Sequence, residues 1–331
     1  MGALRLFAQS IYPFVVGLVV LWMISSGLSG TWTIILIVAG INIILAVSLN
    51  VVNGFTGQFS IGHAGFMAVG AYTATKITMA LRFVQISGLS ESTSTQIFFF
   101  LALVAGMVVA GIAGLLVGAP SLRLRGDYLA IVTLGFNEII RVIIENTAFL
   151  GQATGISGLP RLTNFVWVGM GVIATVLAAK RLAESTHGRA LLAIREDEIA
   201  AEAMGVDTTS YKVRAFVIAS AFAGLAGGLL VHLLQLCTPR SFTFIKSFEI
   251  VVMVVLGGMG SVTGSVLAAF ILSLALEGLR EVQEYRMVMY ALLLIILMLT
   301  RPTGLFGTRE IWDVLPKLFR RRAQPAAGGT P

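Results

Sequence analysis

The sequence predicts an all-α polytopic membrane protein with about ten transmembrane or half-membrane helices and Gly-rich helix breaks. Three observations carry this: a composition of 57% hydrophobic and 12% charged residues with a mean hydropathy of +0.92, apolar runs of membrane length, and glycine clusters that interrupt them. Soluble proteins carry about 25% charged residues, so this chain of 331 residues lacks the polar coat that a water-facing surface needs. A soluble enzyme is excluded. The net charge of +7, from 23 Lys and Arg against 16 Asp and Glu, marks cytoplasmic loops in such a protein rather than a nucleic-acid face. The single Cys237 excludes an intrachain disulfide and a Cys-based metal site.

A helix needs about 20 apolar residues to cross about 30 Å of hydrocarbon. On that measure helical segments run approximately over 11–27, 31–49, 60–82, 97–118, 128–148, 164–181, 211–236, 246–258, 261–279 and 287–300. The first follows Arg5 and looks like a signal sequence, but Ser25, Ser26 and Gly27 make a poor cleavage site, so an uncleaved span is expected. The second and third flank a polar break instead of a normal loop, and the eighth is too short to span comfortably. Residues 1–315 are thus expected to form one transmembrane domain with a cytoplasmic loop at 182–210. Residues 316–331, Arg-rich and then rich in Ala, Gly and Pro, are expected to be a disordered basic cytoplasmic tail.

Orientation follows from the basic residues, which are retained on the cytoplasmic side. With both termini inside, fifteen of the 23 face the cytoplasm, seven fall outside, and Arg141 lies within a span.

The most informative intramembrane stretch runs from Asn50 to Gly65 and includes Asn53, Gly54, Gly57, Gln58, Ser60 and His63. Irregular backbone at membrane depth is tolerated where protein or a water-filled cavity satisfies its polar groups. The break therefore lines a translocation path, or its glycines permit close helix packing while Asn53 and Gln58 bridge helices. Gly257, Gly258 and Ser261 form a second break that can be laid over the first, a weak internal echo of the kind found in transporters. Ser60 and His63 share a helical face, but Gln58 stands where a nucleophile elbow needs glycine, and no nearby carboxylate orients the imidazole, which argues against an intramembrane hydrolase. The scatter of His63, His187 and His232 argues against a metal site.

Glu138, Arg141 and Glu145 sit at i, i+3 and i+7 and can compensate one another on one helical face. Such a cluster is either a structural or subunit contact or part of ion coupling. Glu249 and Glu277 read as lone acids near segment ends. The loop from Gly188 to Gly205 reads as one short amphipathic helix: Glu196, Asp197 and Glu198 suit its first turn, Ile199, Ala200, Ala203 and Met204 form a stripe, and Gly205 stops it. A cytoplasmic helix held between two spans is a lever that another protein can grip. None of the five lysines follows a glycine, so the chain has no P-loop, and any ATP must be hydrolysed by a separate subunit.

The residues resemble permease subunits of bacterial ABC importers for branched-chain amino acids, in particular the LivM-type member. The resemblance rests on the Gly-rich break, on the block Leu122 to Phe136 with Glu138 and Arg141, on the loop Arg195 to Gly205, and on Ser241 to Phe244 followed by Val255 to Ser261. It implies a type II-like ABC permease fold in the bacterial inner membrane and a complex with a second, LivH-like permease, two cytoplasmic ATPases and a periplasmic substrate-binding protein. ATP and Mg would be used by the ATPases, and this chain would bind no cofactor and no nucleic acid. The resemblance also places Ala200, Ala201 and Gly205, with Arg195 and the neighbouring acids, in the loop that docks into an ATPase. Urea or short-amide permeases share much of the pattern, and an ion-coupled secondary transporter is the rival outside the family.

Overall fold

The structure, a computed structural model, describes residues 30–82, 84, 90–122 and 128–278, with isolated positions 292, 295, 304 and 307. The first and tenth expected segments and the 316–331 tail lie outside the described residues. All eight remaining segments are helices.

In chain order these are α1 (Gly30–Asn53), α2 (His63–Ala80), α3 (Glu91–Ser121), α4 (Tyr128–Asn146) and α5 (Phe165–Glu184). Two short helices follow, α6 (Thr186–Glu196) and α7 (Glu198–Ala203), and then α8 (Thr208–Leu234), α9 (Phe244–Gly257) and α10 (Val262–Gly278). Among the described residues, α1, α3, α5 and α8 are long and apolar enough to cross a membrane. The 14 residues of α9 rise only about 21 Å, short of the about 30 Å of hydrocarbon. Helix α3 opens at Glu91 rather than near residue 97, because the Ser90 hydroxyl caps it by accepting the Thr93 N–H at 3.3 Å.

Helix α8 is the hub, packed against α3, α2 and α1, while α1 also meets α5, α9 and α10. In lipid, helices gain little from apolar burial against each other, so close backbone approach between small residues does much of the holding. Gly70 of α2, Gly106 of α3 and Gly224 of α8 meet in this way. A Cβ on Gly106 would lie 2.8 Å from the Gly70 carbonyl oxygen, and one on Gly224 would lie 2.7 Å from that of Gly106. The outer flank of α3 shows Phe100, Val108, Ile112 and Leu116 exposed, as a lipid-facing side requires.

At the end of the bundle away from α6 and α7, the α4–α5 connection makes two 3-10 turns and a strand, β1 (Ile156–Ser157). It pairs antiparallel with β2 (Leu236–Cys237), just past α8, with Ile156 opposite Cys237. Cys237 is buried beneath this strap, where Tyr72 Oη donates to its carbonyl at 3.3 Å, and burial pushes its thiol up to about 12.

Candidate functional site: the joined chain breaks

Helices α1 and α9 run out at Asn53 and Gly257, and the chain then turns before α2 and α10 begin. The two breaks are more than 200 residues apart in sequence and touch in space. Asn50 joins them: its Nδ2 donates to the Ser261 carbonyl at 3.0 Å and its Oδ1 accepts the Gly260 N–H at 2.9 Å. This side chain is fully buried and replaces the bonds that two interrupted backbones would otherwise lack. Gly54 makes the approach possible, since a Cβ there would collide with Asn50 Oδ1 and the Gly260 nitrogen.

The flanking residues are also tied. Asn53 Oδ1 accepts the Ser60 N–H at 3.3 Å, Thr133 Oγ1 of α4 accepts the Ile61 N–H at 3.1 Å, and Ser247 Oγ of α9 accepts the Ala64 N–H at 2.9 Å. Ser261 serves as the N-terminal cap of α10, accepting the Gly264 N–H at 3.0 Å. His63 pairs with Ser48 at 2.9 Å, and the Ser48 hydroxyl bonds the Leu45 carbonyl at 3.0 Å. With that proton committed, the imidazole donates to Ser48, and Ser60 is not its partner. Asn53 Nδ2 and Gln58 Oε1 are buried atoms with no hydrogen-bond partner. Asn137 Oδ1, beside Gly65, is a third such atom in this region.

Of the sequence-predicted path residues, Asn53, Gly54, Ser60, His63, Gly257, Gly258 and Ser261 are buried, Gln58 is half-buried and Gly57 is exposed. None lines the 480 Å³ cavity between α2 and α4 or the 340 Å³ cavity between α1 and α10.

The loop between α5 and α8 differs from its expected form. It is two helices meeting at a corner, because Asp197 leaves helical geometry and its carboxylate accepts the N–H groups of Ile199 and Ala200, at 2.9 and 3.0 Å. Glu196 therefore ends α6 and Glu198 opens α7, instead of all three acids sharing one first turn. On α6, Gly188, Leu191 and Ile194 face the protein. On α7, Ile199 is 68% exposed and Ala200 and Ala203 lie open beside it, as does Met204 just past the helix at 84%. Ala201, expected to dock outward, is instead 6% exposed and turned into the chain. Gly205 follows at a φ of +85° with open space around it. Lys212, almost wholly buried, pairs with Glu198 and fastens the corner to α8.

The corner reaches the breaks through Arg195, whose Nη1 donates to the Gly54 carbonyl at 3.1 Å. Its Nε and Nη2 donate to Glu196 Oε1 at 3.2 and 2.8 Å. The intramembrane cluster is self-paired as expected, Arg141 meeting Glu138 at 2.8 Å and Glu145 at 2.7 Å. Glu249 is not a lone acid: Lys246 Nζ lies 3.1 Å from it and donates to Asn42 Oδ1 at 3.3 Å. Asn42 in turn donates to Ser273 on α10 at 2.9 Å. Sequence reasoning placed Asn50 at the start of the first break but missed its bonds to the second, and it missed this Asn42–Lys246 link; the only signal was polarity within an apolar helix.

The family described as branched-chain amino acid transport system / permease component matches residues 31–298, a span that contains both breaks and the corner. The chain belongs to this family. Two relatives named as high-affinity branched-chain amino acid transport system permease protein LivM are similar to this permease. The one from Salmonella typhimurium strain LT2 is 38% identical over 300 residues, covering 80% of this chain and 67% of the relative. That from Escherichia coli strain K12 is 37% identical over 332 residues, covering 88% and 74%. The Escherichia coli K12 protein of the same system named LivH is 26% identical over 293 residues, covering 82% and 92%. No solved structure matches the chain.

Proposed function

We propose that this permease is one of two membrane-spanning subunits of an ATP-driven importer that carries branched-chain amino acids into the cytoplasm. Its similarity to both LivM and LivH proteins supports a LivH-like second permease. The remaining partners are two cytoplasmic ATPases, which use ATP and Mg, and a periplasmic substrate-binding protein. The bilayer is the bacterial inner membrane, with both termini of the chain in the cytoplasm.

The observation that carries this reading is the α6–α7 corner. It presents an apolar face of Ile199, Ala200, Ala203 and Met204 to the outside of the protein while bonded internally to the breaks. Arg195, Glu196, Asp197 and Glu198 build the corner; Ala200 and Gly205 meet the ATPase, and Ala201 supports them from behind. An engine outside the chain needs such a handle. Because all the path residues but Gly57 and Gln58 are buried in this arrangement, the breaks act as a hinge first, and Asn53 and Gln58 line the passage when the hinge opens. The Glu138–Arg141–Glu145 cluster, in which both acids are bonded to one guanidinium, and the Lys246–Glu249 pair favour this over ion coupling, since each of these acids is already engaged by a cation.

The test is reconstitution of the whole system in vesicles, with leucine uptake followed in the presence of ATP. Uptake is expected to need ATP and the binding protein and to survive collapse of ion gradients. Competition by valine but not by urea or basic amino acids fixes the substrate class. Uphill transport by this chain alone would defeat the proposal. Gly205→Asp should leave assembly intact and abolish coupling. The strain at positive φ is about 1–2 kcal/mol in open space, too small to unfold the bundle, so normal uptake in that variant would remove the corner from the mechanism.

A further inference from the structure

A handle moves a hinge only through contacts stiff enough to carry displacement. Of the described bonds leaving the corner, Lys212–Glu198 and Thr208–Glu202 return to the adjacent first turn of α8, close in sequence. The Arg195 bond instead crosses 141 positions to reach Gly54. Its side chain lies in a slot made by glycines of both breaks: a Cβ on Gly260 would lie 2.8 Å from Nη1 of the guanidinium, and one on Gly57 would lie 2.8 Å from Cγ of the stem. Gly54 and Gly260 are themselves tied through Asn50. A continuous run of hydrogen bonds therefore leads from Glu196, at the exposed rim of the corner, through Arg195 to Gly54, where Asn50 links the Gly260–Ser261 turn. It ends at the cap of α10, so four helix ends share one anchor. The planar fork suits this duty, because fixed donors address a carboxylate on one side and a carbonyl on the other.

We propose that Arg195 is a positioning residue that carries movement of the α6–α7 corner into both chain breaks at once, coupling ATP-driven closure to the switch in the membrane helices. The proposal rests on the transport reading above.

The experiment uses the complete transporter in vesicles with its binding protein and leucine. Uptake and ATP hydrolysis are measured on the same preparation, and subunit ratio is read from co-purification. Arg195→Gln is expected to keep the full subunit ratio and to hydrolyse ATP within about twofold of the native complex. Losing one charge-assisted bond of this kind, leucine moved per ATP falls at least about tenfold. Arg195→Lys, which keeps the charge but not the fork, should recover part of the ratio. Asn50→Ala breaks the same run at its far end and should uncouple likewise, which keeps the test open if Arg195→Gln folds poorly. Native leucine moved per ATP in either Arg195→Gln or Asn50→Ala overturns the proposal. Loss of the ATPases from an otherwise intact Arg195→Gln complex also overturns it, by making Arg195 a docking residue. Absence of ATP-dependent uptake in the native complex would instead sink the transport reading, and so the two failures are distinguishable.

Discussion

Two regions of this protein use glycine to bring chain segments together, and they do so to opposite ends. At the α2–α3–α8 seam, Gly70, Gly106 and Gly224 lie within regular helices and let backbones touch, leaving no side chain that can rearrange. At the joined breaks, Gly57, Gly258 and Gly260 adopt positive φ, and the contacts are hydrogen bonds from Asn50 and Arg195 that can be exchanged for others. The seam fixes a spacing through backbone contact, whereas the breaks are held by side-chain hydrogen bonds. Unpartnered buried atoms on Asn53 and Gln58 fall in the second region.

Substitutions sharpen this contrast. The largest effect is expected from Gly224→Leu. Overpacking costs about 1–3 kcal/mol where neighbours can give way, but here the added atoms meet the Gly106 carbonyl, which belongs to a helix backbone. The loss should exceed about 3 kcal/mol, read as failure to recover monodisperse protein by size exclusion; native yield and melting behaviour would show that the seam is not rigid. Gly54→Ala ranks second. It pushes on Asn50 and Gly260 at the surface of contact between the breaks, so folded protein should be recovered while leucine uptake falls at least about tenfold, near 1.4 kcal/mol. Unchanged uptake would mean that the breaks need not stay joined. Ser60→Ala should do least, with uptake within about twofold, because the described bond of Ser60 to Asn53 uses its backbone N–H. Total loss with intact assembly would give the hydroxyl a direct part in transport.

Much of the fold was legible in the sequence because spans of lipid length are set by a simple yardstick: all eight segments within the described residues are helices, and four of them are long and apolar enough to cross a membrane. The early start of α3 escaped notice since its first turn, Glu91 to Thr95, is polar and is held by a cap rather than by hydropathy. The corner at Asp197 escaped for a related reason: acids favour a first turn, and composition alone does not say which acid becomes the cap. Ala201 and Ala200 are indistinguishable by type, and only the packing of α7 decides which one turns inward. The join between the breaks was hinted at by their echo, yet Asn50 to Gly260 spans 210 positions, and no local pattern encodes a pairing at that range. The pairing of Glu249 with Lys246 was within reach, being three residues away on one helical face.

The burial of Cys237 has a practical consequence. It is the sole thiol in the chain, buried at the β1–β2 strap, where burial raises its pKa and favours the neutral form. The wild-type polypeptide is thus already a silent background for maleimide and spin-label chemistry. Probes introduced one at a time at the corner or the breaks can follow the transport cycle without first removing a native thiol.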